Sequence, residues 1–203
     1  MSETEYVVLD FETTGLAPPL ARIIEVGAVK IKAGKIIGTY QQLVHPGTYV
    51  PSFITEVTGI TNAMLKGMPP PKVAMTELHR FVGDRPIIAH NASFDSKFYF
   101  AEMDRAGIDT DNEFICTLML ARRLIESPDY KLTTLVRHLK FKVGKDHLSH
   151  RALFDAEMTV QLWNHLEAKI KPYMQEEKID SAIWQKLMKK PKASVKAYLE
   201  KLS

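Results

Sequence analysis

Apolar and polar positions alternate along the first 44 residues in the rhythm of β-strands. Tyr6 to Glu12 reads as one strand, Arg22 to Ile31 as a second and Ile36 to Val44 as a third. Ala33-Gly34-Lys35 is the turn of a hairpin joining the last two. The rhythm then breaks. Residues 51–71 are short pieces punctuated by proline and glycine. Lys72 to Val82 carries Val73, Leu78, Phe81 and Val82 at helical spacing. Pro86 to His90 is a short buried strand, and Ser93 to Ala106 a helix capped by Asn91 or Ser93 and closed by Gly107. Phe114 to Cys116 predicts a strand, with a helix following through Arg123. Leu132 to Leu139 and Arg151 to Ala168 predict two more helices.

Three antiparallel strands followed by alternating strands and helices predict an α/β fold: a mixed central sheet of about five strands flanked by helices. Pro172 marks a boundary, which divides the chain into a domain over residues 1–169 and a helical extension over 170–203. In the extension Ile179, Ile183, Trp184 and Leu187 share a stripe, continued by Val195, Tyr198, Leu199 and Leu202. Those residues need a surface to cover: the main domain, a second copy of the chain, or a partner.

With 203 residues and a 45% hydrophobic fraction, the chain can bury one sizeable core. Cys116 is its one cysteine, so no disulfide can form within it. The N-terminus has no basic-then-apolar leader, and no run approaches the roughly 18 apolar residues of a membrane span. A soluble, cytoplasmic protein with no membrane contact is expected. The formal net charge of +3 does not by itself point to nucleic acid. Its distribution is uneven, since residues 170–203 hold eight lysines against four acids. A second basic cluster holds Lys131, Arg137, Lys140, Lys142, Lys145 and Arg151 against Asp146 alone.

The apolar strand VVLDFETTGL contains two acids, Asp10 and Glu12. Residues two apart in a strand share a face, which sets these about 7 Å apart at Cα. Two like charges at ~4 Å and an effective dielectric near 20 repel by about 4 kcal/mol. Open solvent, bound cations or protonation must offset that. An isolated Asp-x-Glu at a strand end most often marks an edge reaching solvent. Here two further acids keep it company. Asp95, in AHNASFDSKFY, opens a helix that follows a buried strand. If the two strands are parallel neighbours, that helix start lies at the same sheet edge as Glu12. Asp155, in HRALFDAEMTVQLW, shares a helix face with Ala152, Thr159 and Leu162 and so flanks the buried side. His150 precedes it by five residues at the helix entrance and can titrate near neutrality.

Four carboxylates without matching Cys and His ligands call for a hard cation, Mg²⁺ or Mn²⁺. Two such ions suit in-line displacement at phosphorus, with a histidine taking the proton of the attacking water.

These segments resemble the three motifs of the DEDDh exonucleases, a DnaQ-like superfamily that includes the polymerase III proofreading subunit and ribonuclease T. VVLDFETTGL is similar to the first motif, AHNASFD to the second and HRALFDA to the third, with the His-x4-Asp spacing intact. TEVTGIT resembles the substrate-facing loop, and the resemblance covers about residues 5 to 168. It implies a ribonuclease H-like fold and metal-dependent 3′ to 5′ removal of nucleotides, releasing 5′-monophosphates. Asp10, Glu12, Asp95 and Asp155 would hold the two divalent cations, and His150 would be the general base. The tyrosine variant of the superfamily puts its base at the position of Arg151, so the histidine class fits. His147 has the wrong spacing.

The resemblance also implies contacts to the 3′ end of single-stranded DNA or RNA. Thr13, Thr14, Gly15 and Leu16 would lie beside the terminal nucleotide, with Asn91 near it and Phe94 as a stacking face. Thr58 stands where many relatives carry a histidine. A DNA polymerase, or a second copy bound through the extension, is the expected protein partner.

Overall fold

The computed structural model describes residues 4–18, 20–143, 151–174 and 179–202. His147 and His150 lie outside the described residues. Five strands form one sheet: β1 (Glu5–Thr13), β2 (Ile23–Lys32), β3 (Lys35–Leu43), β4 (Ile87–Ala89) and β5 (Phe114–Cys116). Their order is β3-β2-β1-β4-β5. β1, β2 and β3 pair antiparallel, whereas β4 runs parallel to β1 and β5 parallel to β4. This is the expected mixed sheet, and the parallel β1–β4 pair is the neighbourhood on which the placing of Asp95 depended.

The stretch rich in proline and glycine holds two short helices, α1 (Ser52–Thr58) and α2 (Asn62–Leu65). Gly59, at φ 71°, ends α1 in the left-handed region where glycine carries no Cβ penalty. Ile24, Val50, Ile60 and Leu65 form a small separate core beneath them. Then come α3 (Pro71–Val82), α4 (Ala92–Ala106), α5 (Thr117–Leu124) and α6 (Leu132–His138). α7 (Ala152–Ile170) is the longest, and α8 (Ser181–Lys189) and α9 (Lys192–Glu200) make the extension.

β1 is central and buried on both faces, which explains its nearly continuous apolar run. Val7, Leu9 and Phe11 pack with Leu78 of α3 and Phe98 of α4. Tyr6 and Val8 face the other way, into a core with Trp163 and Leu166 of α7. Period-two geometry therefore turns Asp10 and Glu12 towards the α7 layer.

The extension packs into that same core. Trp184 is fully buried, its ring centroid 4.4 Å from that of Trp163. Leu187, Met188, Val195 and Leu199 join the cluster. Gln185 Nε2 donates to the Phe114 carbonyl at 3.0 Å, and the Cys116 N–H lies 3.0 Å from Met188 Sδ. α8 thus lies along edge strand β5. Among the described residues no helix is long and apolar enough to cross a membrane.

Candidate active site

The site begins where β1 loses a neighbour. β4 stops at Ala89, and its register with β1 covers only Val7 and Val8. The N–H groups of Val7 and Phe11 point to that side; Val7 donates to the Pro86 carbonyl. Phe11 has no strand to reach, and its N–H donates instead to Asp95 Oδ1 at 3.3 Å. An aspartate thereby replaces the missing strand partner and sits against the peptide between Asp10 and Glu12.

Asp95 gets there because β4 turns at once into α4. Asn91 caps that helix with φ 66° and ψ 45°, a left-handed conformation that asparagine tolerates better than most residues. Asp95 is in the first helical turn and 2% exposed. His90, just before the turn, is spent structurally. Its Nε2 donates to the Tyr130 carbonyl at 2.9 Å, and its Nδ1 lies 2.9 Å from the Thr117 hydroxyl. Burial lowers its pKa against the hydrogen bond to the Tyr130 carbonyl.

Asp155 arrives from above the sheet. Gly27 of β2 is the cross-strand partner of Asp10 and faces the same way. A Cβ there would lie 2.1 Å from the carbonyl carbon of Ala152, an impossible contact. Glycine alone therefore lets the start of α7 touch the sheet. One pair along, Glu25 opposes Glu12. The fully buried Glu25 carboxylate accepts from the Ala152 N–H at 3.0 Å, capping α7 from another strand. Arg151 donates to it from Nη2 at 2.7 Å and from Nε at 3.1 Å, and Gln41 Nε2 at 2.9 Å. The clamp fixes the first turn of α7, in which Asp155 lies.

Asp10, Glu12 and Asp155 each offer a carboxylate oxygen, and these atoms all lie within 4.8 Å of one another. Asp95 is not in that group; it comes from the opposite layer, over the end of β1. The crowding is expensive for anions. Burial raises the Asp10 pKa well above the usual carboxylate value, and Asp95, Asp155, Glu12 and Glu25 add to it. Burial, then Asp155, Glu25 and Asp95, push Glu12 up to about 8 against the pull of Arg151. Burial pushes Asp95 up to about 7 against the hydrogen bonds it accepts. Clustered oxygen donors that resist ionisation fit a bound hard cation, which would offset the repulsion.

A cavity of roughly 720 Å³ opens beside Glu12 and is lined by Thr13, Thr14, Gly15, Leu16, Thr58 and Phe94, with Phe53 and Val57 of α1. Its wall is mostly apolar, and Leu16 is 88% exposed. The loop hydroxyls are engaged: Thr13 Oγ1 donates to the Gly15 carbonyl at 2.6 Å, and Thr14 Oγ1 accepts from the Arg22 N–H at 3.0 Å. Arg22 is itself held by Glu102 of α4, in a two-point ion pair at 2.7 and 3.0 Å. Thr58 is buried and turned inward, its hydroxyl bonded to the Ile54 carbonyl and the Ile60 N–H. Its hydroxyl is therefore engaged within α1 and the turn that follows. Asn91 is exposed at the start of α4, within three residues of Phe94.

Three positioning residues escape the sequence reading: Gly27, Glu25 and Arg151. Glu25 carries a signal of the same kind as Asp10, a lone acid inside the otherwise apolar run IIEVGAV.

The Exonuclease family profile matches residues 7–163, and the chain belongs to that family, within the DnaQ-like superfamily. It is similar to DNA polymerase III PolC-type of Halalkalibacterium halodurans, with 39% identity over 162 residues, 79% of this chain and 11% of that protein. The Thermotoga maritima protein of the same description is 38% identical over 162 residues, 79% of this chain and 12% of that protein. The chain thus spans only 11–12% of the length of these relatives. Among solved structures it is similar to exonuclease X in complex with 5′ overhanging duplex DNA, with TM-score 0.66, 29% identity, and coverage of 80% of this chain and 91% of that one. It also resembles Escherichia coli exonuclease I in complex with a dT13 oligonucleotide, with TM-score 0.73, 18% identity, and coverage of 83% and 42%. The fold is ribonuclease H-like, and the acidic cluster fits a metal-dependent nuclease.

Proposed function

We propose that this chain is a DEDDh-type 3′ to 5′ exonuclease acting on single-stranded ends of DNA or RNA and releasing nucleoside 5′-monophosphates. The observation that carries the reading is the convergence of Asp10, Glu12 and Asp155 oxygens within 4.8 Å at the mouth of an apolar cavity. Asp10, Glu12, Asp95 and Asp155 would hold two divalent cations, Mg²⁺ or Mn²⁺. Bound there, the ions would supply Lewis-acid polarisation of the phosphate and a lowered pKa for water.

The chain's own residues do the rest. Leu16 and Phe94 take the faces of the terminal nucleotide, which is sequence-tolerant because every base has a face. The Thr13–Gly15 turn, held by Arg22 and Glu102, sets the depth of entry. His150 accepts the proton of the attacking water, whose oxygen bonds to phosphorus; the bond to the upstream 3′ oxygen breaks, and that oxygen takes a proton from solvent to leave a 3′ hydroxyl. The nucleic-acid complexes among the similar structures support this class of ligand. The PolC-type relatives, described as DNA polymerase III, support a DNA polymerase as a partner.

Digestion of matched 5′-labelled DNA and RNA oligomers with Mg²⁺, Mn²⁺ or EDTA tests the reading. Metal-dependent stepwise shortening, with mononucleotides as product, is the expected result. Internal fragments from a circular single strand would replace this reading with endonucleolytic cutting.

A further inference from the structure

A second cavity, of roughly 190 Å³, lies between α6 and α7 and is lined by Leu132, Val136, Arg137, Phe154, Asp155 and Met158, among others. Both cavities border the carboxylate cluster: Glu12 lines the first and Asp155 the second, and their oxygens are within 4.8 Å. A phosphodiester held at those oxygens therefore has one cavity on either side. If the nucleotide being removed fills the first, its upstream neighbour has the second.

The chemistry of this groove matches such an occupant. Its floor is apolar, as a sugar and a base face require. Among the described residues Arg137 is the one basic residue of its lining and Asp155 the one acid, and the α6 segment also holds Lys131, Lys140 and Lys142. Arg137 is exposed, yet it makes no ion pair among the described residues. A guanidinium in a concave wall, without a carboxylate partner among the described residues, suits the bidentate binding of a phosphate.

Resting on the exonuclease reading, we propose that the α6–α7 groove holds the single strand just upstream of the scissile bond. Arg137 donates to a phosphate of that strand, and Leu132, Val136 and Phe154 lie against its sugar and base.

The test compares two substrates. Thymidine 5′-monophosphate p-nitrophenyl ester has no upstream strand; a 5′-labelled oligothymidylate has one. Arg137→Ala should raise KM for the oligothymidylate about tenfold relative to KM for the ester, the usual weight of a hydrogen bond to a charged group. kcat should stay within about threefold. Oligothymidylate binding in Ca²⁺, plotted against salt on logarithmic axes, should flatten by about 0.7 in slope, the share of one phosphate on a single strand. Arg137→Lys should recover most of that slope. Equal changes in KM for the two substrates, or an unchanged slope, would overturn the groove assignment, while ester hydrolysis still upholds the nuclease reading. A wild-type protein that cleaves neither substrate would overturn both.

Discussion

Arg151 and Glu25 stand 126 residues apart and join the first turn of α7 to the sheet through hydrogen bonds of 2.7 and 3.1 Å. Glu25 is the cross-strand partner of Glu12, so this ion pair also neutralises one acid beside the cluster. Arg151→Ala leaves a buried carboxylate without its cation and should destabilise the fold by about 3 kcal/mol, the lower range for a broken buried pair. Urea unfolding measures this. A loss below about 1 kcal/mol would mean that Gln41 and the Ala152 N–H satisfy Glu25 unaided.

Gly27→Ala tests the same contact from below. The new methyl must displace the backbone of Ala152, because a Cβ at 2.1 Å cannot be accommodated by a rotamer change. Lifting α7 moves Asp155 away from Asp10 and Glu12. A misplacement of about 1 Å at a catalytic group costs on the order of 10²-fold in rate. Oligonucleotide hydrolysis should fall by that order, together with the melting temperature. Wild-type kinetics in this variant would show that the helix start does not position the carboxylate.

The crowded acids make stability depend on pH in the metal-free protein. Glu12, pushed up to about 8, and Asp95, pushed up to about 7, hold protons in the folded state that the unfolded chain releases near 4.5 and 3.8. The folded state binds more protons across that window, so stability falls as pH rises from about 4 to about 8. Mg²⁺ requires the ionised carboxylates, and its stabilising effect should therefore grow over the same window. Thermal melts in EDTA and in Mg²⁺ from pH 5 to 8.5 check both slopes. A metal-free protein that gains stability towards pH 8 would refute the buried-acid account.

Trp184 tests whether the extension stabilises the fold. Its ring is fully buried on Trp163, in the core shared with Val8 and Ile88. Trp184→Ala should cost about 3–5 kcal/mol, as expected for a large aromatic removed from a core. The melting temperature reports it. A change below about 1 kcal/mol would show that α8 adds little to the domain.

The strand acids and the three motifs were legible in the sequence because reactive chemistry needs particular residue types, and these interrupt an apolar rhythm. An Asp inside Val-Val-Leu-x-Phe is conspicuous. The mixed sheet was legible too, since the hairpin and the strand–helix alternation carry local signals. The clamp was not. Glu25 and Arg151 look like ordinary strand and helix-entry charges until the topology joins them. Gly27 reads as one more small residue in a strand, and only the approach of α7 gives it meaning. α1 and α2, of seven and four residues, are too short to show a helical period and form over a small tertiary core. The apolar stripe of the extension was visible, but its partner, the ring of Trp163, is a matter of packing.

The account stands on Asp10, Glu12 and Asp155 converging as cation ligands, with Asp95 beside them against the Phe11 peptide. Calorimetric titration of Mn²⁺ into the wild-type chain, Asp10→Asn and Asp155→Ala tests this most directly, with circular dichroism confirming that each is folded. The wild type should bind Mn²⁺, and each variant should lose at least one ion or bind at least about tenfold more weakly. Unaltered stoichiometry and affinity in Asp155→Ala would contradict the site.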